Sequence, residues 1–444
     1  MQIIWRLSRG VGLVLLALGG AWANGLIANA QPAPSLAAPP TFTRDVAPIL
    51  YAHCVECHRA GEIAPMSLVT YAEARPWARS IVQRVRDGVM PPWHADAPEG
   101  TFRNERRLTT AEKDTIERWV QAGAPEGIPT HLPEPPTFAS GWRIGPPDVV
   151  FEMLEDYPVP ATGTIQYEHF YIPTNFSGER WLQEIEARPG NRSLVHHIIV
   201  YYEAPPDQRR PPVLERNREE SRLPELKTPG LRPKRENSFP SQLLATYAPG
   251  TNPQVFPAGT ALRLAPGGTL HLELHYTATG TPGTDRSRVG MVFAKTPPAE
   301  ELRAAAFVNG VFTIPAGASS HPVSATVGFA QDATLWGLFP HTHLRGRQWT
   351  YELTLADGTT RPLLSVPRYD FNWQTYYMFR EPIRIPKGAT IRSTAWYDNS
   401  AANRFNPDPR QDVTWGDQTW EEMQYSGLLY STTRERPATQ QAQH

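Results

Sequence analysis

Between Thr269 and Tyr276 the chain reads Thr-Leu-His-Leu-Glu-Leu-His-Tyr, an alternation of apolar and polar side chains. This period of two predicts a β-strand with one buried face and one polar face. Residues 194–201, 325–338 and 349–355 contain similar short runs, separated by Gly, Pro, Asn and Asp. The pattern predicts antiparallel β-sandwiches rather than βαβ units. Residues 205–240, rich in Arg, Glu and Pro, show no strand pattern and are predicted to form a long surface excursion.

The composition restricts the class of protein. The chain has 444 residues, with 43 basic and 44 acidic side chains and a formal net charge of -1. This balance provides no electrostatic basis for binding nucleic acid or an anionic membrane surface. The 13 Trp, 16 Tyr and 16 Phe residues argue against a chain that is disordered throughout. The 46 Pro and 32 Gly residues favour a turn-rich β protein.

The N-terminal residues have the pattern of an export signal. Arg6 and Arg9 precede an apolar run at residues 11–18, and small residues ending in Ala-Asn-Ala at 28–30 follow. This order predicts a signal peptide at residues 1–30 and a periplasmic or secreted protein. The alternative is an uncleaved membrane anchor, although the apolar run is shorter than the roughly 20 residues of a membrane span.

Both cysteines of the chain lie in one motif, Cys54-Val55-Glu56-Cys57-His58. A C-x-x-C-H motif attaches haem c, because the two thiols form thioethers and the histidine is placed to bind the iron. A redox or zinc C-x-x-C site is the alternative, but the adjacent histidine and the export signal favour haem. Thr109 and Glu112 predict a capping box at the start of a helix that resembles the C-terminal helix of small class I cytochromes c.

The sixth iron ligand is predicted to be Met90. It follows a helical stretch at residues 72–88 and precedes two prolines that favour an extended turn. Met66 is the rival, and His94 is a third candidate. Alternatively, either methionine packs against the porphyrin without binding iron.

Together these features predict a multidomain fold. A small all-α cytochrome c domain at residues 41–128 is expected, followed by a Pro-rich linker at 129–144. The rest of the chain is long enough for two tandem antiparallel, jelly-roll-like β-sandwiches, at residues 145–290 and 291–435.

Histidines recur along the predicted sandwiches. On a strand, His341 and His343 project to one face and can chelate one ion. The adjacent His196 and His197 would face opposite sides of a regular strand, so joint ligation requires a bulge or a strand end. One such histidine alone is more often a hydrogen-bonded sheet residue than a ligand. Two pairs, together with His275, favour metal binding.

The order of these motifs resembles that in the copper type II ascorbate-dependent monooxygenases, the family of peptidylglycine α-hydroxylating and dopamine β-monooxygenase. In that family a His-His pair and a later histidine in a His-Tyr strand hold one copper. An H-x-H pair and a methionine in a Glu-Met segment hold the other. The resemblance covers roughly residues 145–432, and the haem domain resembles that of bacterial members. It implies a first copper site at His196, His197 and His275, and a second, catalytic copper site at His341, His343 and Met423.

Some ligand assignments stay open. His271 shares a strand face with His275 and is an alternative ligand, while Glu273 either supports the ligands or is solvated. Imidazole binds Cu(I) and Cu(II), and thioether sulfur favours Cu(I), which agrees with O₂ binding at the methionine-containing site after reduction. Animal members of the family have several disulfides, and this chain has no spare cysteine. Their loop and pocket geometry therefore does not transfer to this chain.

The resemblance implies a copper-dependent monooxygenase that uses O₂ to hydroxylate an aliphatic C–H bond of a small-molecule or peptide-like substrate. The fused haem suggests that electrons from a periplasmic donor pass through iron, supplementing or replacing an ascorbate-like reductant. The alternative is a non-enzymatic periplasmic electron-transfer or copper-binding protein. Such a carrier would change redox state without consuming O₂ in proportion to a substrate.

Overall fold

The computed structural model describes residues 38–433, except 61, 63, 139–140, 211, 224–240 and 249–252. The predicted signal peptide at residues 1–30 lies outside the described residues, as does much of the predicted surface excursion. The part of that excursion that is described includes one short strand. No helix in the described part of the chain is long and apolar enough to cross a membrane.

The helical segments are short and concentrate near the start of the described chain. In order, they are a π-helical turn Phe42–Val46, α1 Ala47–His53, α2 Tyr71–Ala74, a 3₁₀ turn Arg75–Trp77, α3 Ala78–Arg86, α4 Thr110–Gln121, and 3₁₀ turns Pro129–His131 and Pro206–Gln208. The capping box predicted at α4 is present, because Thr109 and Glu112 exchange their side-chain and backbone hydrogen bonds. These bonds satisfy amide groups that a helix start otherwise leaves unpaired.

Strands make up most of the remaining regular structure. The first eleven are β1 Val149–Glu152, β2 Tyr157–Val159, β3 Glu168–Pro173, β4 Arg180–Arg188, β5 Val195–Glu203, β6 Leu214–Arg216, β7 Ser241–Tyr247, β8 Gln254–Val255, β9 Thr260–Leu264, β10 Thr269–Tyr276 and β11 Gly283–Asp285. The others are β12 Arg288–Phe293, β13 Glu300–Asn309, β14 Thr313–Ile314, β15 His321–Phe329, β16 Ala333–His341, β17 Gly346–Thr354, β18 Thr360–Val366, β19 Tyr377–Ile385, β20 Thr390–Tyr397, β21 Val413–Thr414 and β22 Gln424–Thr433.

Three large sheets are formed by the described residues. A nine-stranded sheet has the order β1-β12-β4-β9-β13-β22-β16-β19, with β8 paired to β4. A four-stranded sheet has the order β3-β10-β5-β7, and a five-stranded sheet has the order β18-β17-β20-β15-β6. The pairing of β9 with β13 is parallel, whereas the other pairings between these strands are antiparallel. The nine-stranded sheet therefore contains strands from both predicted sandwiches.

Each smaller sheet packs against a different half of the nine-stranded sheet. One core lies against the four-stranded sheet and includes Ile198, Leu272 and Leu274. A second core lies against the five-stranded sheet and includes Trp349 and Leu428. Burial of side chains of this size contributes roughly 1.5–3 kcal/mol each. The predicted β-sandwiches are thus compatible with the structure. The four-stranded and five-stranded sheets each form a sandwich with the same nine-stranded sheet.

The prediction of a separate all-α cytochrome domain at residues 41–128 is wrong. The structure is mostly β, with 38% strand and 12% helix, and Pro40–His444 forms one compact unit. The physical reason lies in residues 93–104, which are not helical. Trp93 and Phe102 from this segment are buried in the second β core rather than among the helices.

Backbone hydrogen bonds fix residues 93–104 along β19. The amide of Arg103 donates to the carbonyl of Met378 at 2.8 Å, and the amide of Arg380 donates to the carbonyl of Thr101 at 2.9 Å. The helices of residues 42–121 have their own small core, which includes Phe42, Leu50 and Trp119. This N-terminal region is consequently tied to the β body through main-chain contacts as well as side-chain packing.

Candidate metal centres

The first candidate site lies between β5 and β10. His196 and His197 are near the start of β5, and His275 is near the end of β10. His275 lies opposite His197, but the next residue, Tyr276, lies opposite Val195. His196 is therefore the extra residue of a β-bulge, the irregularity that adjacent histidines need in order to face one ion.

The bulge brings three imidazoles together. One ring nitrogen from each of His196, His197 and His275 lies within 4.8 Å of the others. The Nδ1 atoms of His196 and His197 are 3.1 Å apart. Nδ1 of His275 is buried without a hydrogen-bond partner, an arrangement that a bound metal ion would satisfy. The donor set therefore fits an ion that prefers imidazole nitrogen, such as copper.

Burial keeps these imidazoles neutral. It lowers the pKa of His275 to about 4, with a further contribution from His196. Burial also lowers the pKa of His196 and holds the pKa of His197 well below 6.5. Because metals bind the neutral imidazole, an ion entering at neutral pH does not have to displace protons from charged rings.

Tyr167 is part of this site, although no pattern in the sequence points to it. Its ring centroid lies 5.0 Å from that of His275 and 5.4 Å from that of His197. Burial, followed by the negative charge of Glu273, holds the pKa of Tyr167 well above 10, so the phenol stays protonated. It precedes β3 and belongs to no recognisable motif, so only the fold reveals its position.

The second candidate pair lies at the end of β16. His341 is the last residue of that strand and His343 follows it, with ring centroids 5.2 Å apart. Nδ1 of His341 donates to Gln374 Oε1 at 2.7 Å, and Nδ1 of His343 donates to the carbonyl of Glu421 at 3.2 Å. Both partners are acceptors, so each ring carries its proton on Nδ1 and offers Nε2 to a metal.

Burial also keeps the second pair neutral. It lowers the pKa of His341 to about 4, against the opposing effect of Gln374. It holds the pKa of His343 well below 6.5, with a smaller effect of His341. Positive charge on His341 or His343 would also lower the pKa of His197. This effect is smaller than those of burial and of the other histidines of the first site. The two candidate sites thus lie close enough to interact electrostatically.

Met423 lies across from this pair. His341 pairs with Tyr425 in the register of β16 and β22, so antiparallel geometry puts Met423 level with His343. Its side chain is partly buried against the first β core. The hydroxyl of Tyr397 donates to the carbonyl of Met423 at 2.7 Å, which fixes the main chain at this position.

Glu422 anchors the turn that contains His343, a role that its sequence position does not indicate. Its carboxylate is fully buried and accepts hydrogen bonds from the amides of His343 at 2.8 Å and Arg345 at 2.6 Å. Burial raises the pKa of Glu422 to about 8, while these bonds and the Arg345 charge act in the opposite direction. The side chain positions the histidine rather than offering a ligand atom.

The C-x-x-C-H motif forms a tight turn after α1. The amides of Cys57 and His58 donate to the carbonyl of Cys54 at 3.1 and 2.9 Å. Both cysteines are thiols without a disulfide, and burial raises the pKa of Cys54 to about 12. Burial lowers the pKa of His58, whose Nδ1 is buried without a hydrogen-bond partner. These main-chain hydrogen bonds bring the backbones of the three motif residues together in one turn.

The three candidates for the sixth iron ligand occupy different surroundings. Met66 packs against the same small core as Cys54. Met90 follows α3, and its amide donates to the carbonyl of Arg84. His94 borders a cavity on the β body, and burial lowers its pKa. Met90 stays the predicted ligand, with Met66 as the rival.

A cavity of about 400 Å³ lies between residues 93–106 and the β body. Its lining includes Arg103, Asn104, Gln374 and Tyr376. Gln374 also bonds to His341, so the cavity adjoins the second candidate site. Its size is within the range of small-molecule pockets.

Comparisons with known proteins provide no family assignment. No family model and no curated protein matches the chain. Among solved structures, allantoicase from Saccharomyces cerevisiae aligns over 62% of this chain and 81% of its own, with 8% identity and a TM-score of 0.17. The major capsid protein P2 of bacteriophage PM2 aligns over 64% of this chain and 99% of its own, with 11% identity and a TM-score of 0.23. Similarities this weak carry no argument about function.

Proposed function

We propose that this protein is a copper-dependent monooxygenase that hydroxylates an aliphatic C–H bond with O₂ and receives electrons through a covalently attached c-type haem. One observation carries the proposal. Two groups of buried or partly buried histidines with lowered pKa values each have ring nitrogens suited to a metal ion, and they interact electrostatically through His197. Bound copper would supply the one-electron redox chemistry that the use of O₂ requires.

The two donor sets suit different roles. His196, His197 and His275 offer three imidazoles, which bind both Cu(I) and Cu(II) and so suit an electron-transfer site. His341 and His343 offer two imidazoles, and Met423 adds a thioether that favours Cu(I). The second set is therefore the proposed catalytic site, with Nε2 of each histidine as the ligand atom.

The chain around the second site would bind and orient the substrate. The 400 Å³ cavity reaches Gln374, which holds His341, so a bound organic molecule would lie beside the proposed catalytic site. Tyr376 borders the cavity, and its ring stacks on Phe339 at 4.8 Å. An aromatic wall and nearby polar groups suit a small molecule or a peptide-like segment.

The haem part of the proposal rests on the turn at Cys54, Cys57 and His58. The thiols would hold the porphyrin covalently and the imidazole would bind iron. Thioether attachment and the predicted signal peptide both favour a periplasmic or secreted location. A periplasmic donor, or an ascorbate-like reductant, would then supply electrons to the copper sites.

The test is the copper and iron content of the purified protein, together with its O₂ consumption. We expect two copper ions per iron, and about one in His341→Ala and Met423→Ala, with substrate-dependent O₂ consumption lost in both. His131→Ala is the matched control, because His131 lies on an exposed 3₁₀ turn. Iron without copper would refute the monooxygenase. Copper with redox cycling but no substrate-dependent O₂ consumption would favour the electron carrier.

A further inference from the structure

A second group of potential ligands, His169, His271 and Glu273, lies on the four-stranded sheet. We propose that these three side chains bind a divalent transition-metal ion, with Zn²⁺ as the probe, at a site separate from both copper sites. One ligand atom from each side chain lies within 4.8 Å of the others. The site goes beyond the proposed function, which gives none of these three residues a ligand role.

The strand register makes these residues neighbours. His169 on β3 lies opposite Glu273 on β10, and His271 shares the face of Glu273 two residues away. Nδ1 of His169 is 2.9 Å from Nε2 of His271 and 3.9 Å from Oε2 of Glu273. Ligand atoms of a tetrahedral zinc ion lie about 3.3–3.6 Å apart, given bond lengths of about 2.0–2.2 Å. Small side-chain adjustments would therefore bring all three atoms onto one ion.

This group is distinct from the first copper site. His271 and His275 lie on one face of β10, but four residues separate them, which corresponds to about 13 Å along a strand. One ion is too small to bridge that distance. The structure accordingly places His275 with His196 and His197, and it places His271 with His169 and Glu273. The sequence could not separate the two groups, because alternation shows only that both histidines share a face.

The imidazole of His271 is held in a fixed orientation. It stacks on Tyr171 with ring centroids 4.6 Å apart and an interplanar angle of 13°. On β5, Tyr201 stacks on it at 5.5 Å and 29°. Nδ1 of His271 lies 3.6 Å from Oε1 of Glu203, while Nε2 faces His169. A carboxylate near the second nitrogen of a histidine is the arrangement that orients metal ligands and raises their basicity.

The chemistry of the ligands selects the class of metal. Two imidazoles and one carboxylate, without a sulfur ligand, suit Zn²⁺ and similar divalent ions better than Cu(I). The same set occurs in zinc sites that keep a fourth position for water. All three side chains are half-buried, so solvent can reach that fourth position. The ion would cross-link β3 to β10, the strand that also contains His275.

The experiment compares zinc binding by the full-length protein and by variants after copper loading. Calorimetry with Zn²⁺ and metal analysis after dialysis give the number of ions per chain. We expect one more tightly bound Zn²⁺ in the wild type than in His169→Ala, with equal copper content in both. Glu203→Leu, which removes the acceptor, should keep the ion but bind it 10–100-fold more weakly, the usual effect of removing a ligand-orienting partner. His131→Ala should match the wild type.

Equal zinc stoichiometry and affinity in the wild type and His169→Ala would overturn the proposal. Far-UV circular dichroism checks that the His169→Ala variant is folded. Glu203→Leu gives an independent result if it is not, because unchanged zinc affinity in that variant also refutes the site. A His275→Ala variant should lose copper and keep this zinc. Loss of copper binding alone would refute the proposed function, whereas loss of the zinc difference alone would refute the third site.

Discussion

The hydrogen bond between Gln374 and His341 gives a sharp test of the second copper site. Gln374→Leu keeps the approximate size of the side chain and removes the acceptor that lies 2.7 Å from Nδ1. His341 is only 8% exposed, so water does not easily replace that acceptor. A buried donor left without a partner costs about 1–3 kcal/mol. Loss of a partner behind a metal-binding histidine typically weakens metal affinity 10–100-fold.

We therefore expect Gln374→Leu to bind copper at the second site 10–100-fold more weakly, with the first site unchanged. Anaerobic competition with a chromophoric Cu(I) chelator would measure both affinities. Gln374→Glu, which restores an acceptor, should recover binding. Gln121→Leu, a change at an exposed position on α4, is the control. Wild-type affinity in Gln374→Leu, or an equal loss at both sites, would refute the reasoning.

Three further predictions concern the metal-free protein. Glu422→Leu should lower the free energy of unfolding by about 1–3 kcal/mol in urea, because the buried amides of His343 and Arg345 lose their acceptors; wild-type stability would contradict this. The pKa of His341 is about 4 in the folded state and about 6.5 in the unfolded state. The unfolded chain therefore binds a proton at His341 more readily than the folded chain, and this lowers the free energy of unfolding by about 3 kcal/mol as pH falls from above 6.5 to 4. Urea titrations against pH should show this slope reduced in His341→Gln. Phe102→Ala should cost about 3–5 kcal/mol, since its ring is fully buried, and a smaller loss by thermal or urea unfolding would mean that residues 93–104 pack weakly.

The sequence indicated which histidines lie together better than it indicated the contacts around them. The resemblance in motif order grouped His196, His197 and His275, and the need for a bulge followed from the adjacency of the first two. The bulge itself depends on the pairing of β5 with β10, which no local pattern encodes. Tyr167 and Gln374 lie outside any motif, so only tertiary contacts place them beside the histidines.

The prediction of an all-α domain failed for a related reason. The C-x-x-C-H motif specifies attachment chemistry, but it does not specify which surface the following residues cover. Residues 93–104 contain Pro98 and Gly100 and show no helical or strand period, so their burial against β19 was not predictable from periodicity. The sequence assigned no packing partner to Trp93 and Phe102, whereas the structure places both in the second β core.

The contact of residues 93–104 with β19 affects how the protein avoids self-association. β19 is the outermost strand on its side of the nine-stranded sheet, and an uncovered outermost strand presents unpaired amides and carbonyls to other chains. Here the hydrogen bonds of Arg103 and Arg380 cover part of that edge. The segment that follows the predicted haem attachment site therefore also protects the sheet from edge-to-edge aggregation. A truncated chain that lacks residues 41–128 would expose the edge of β19 to pairing with strands of other chains.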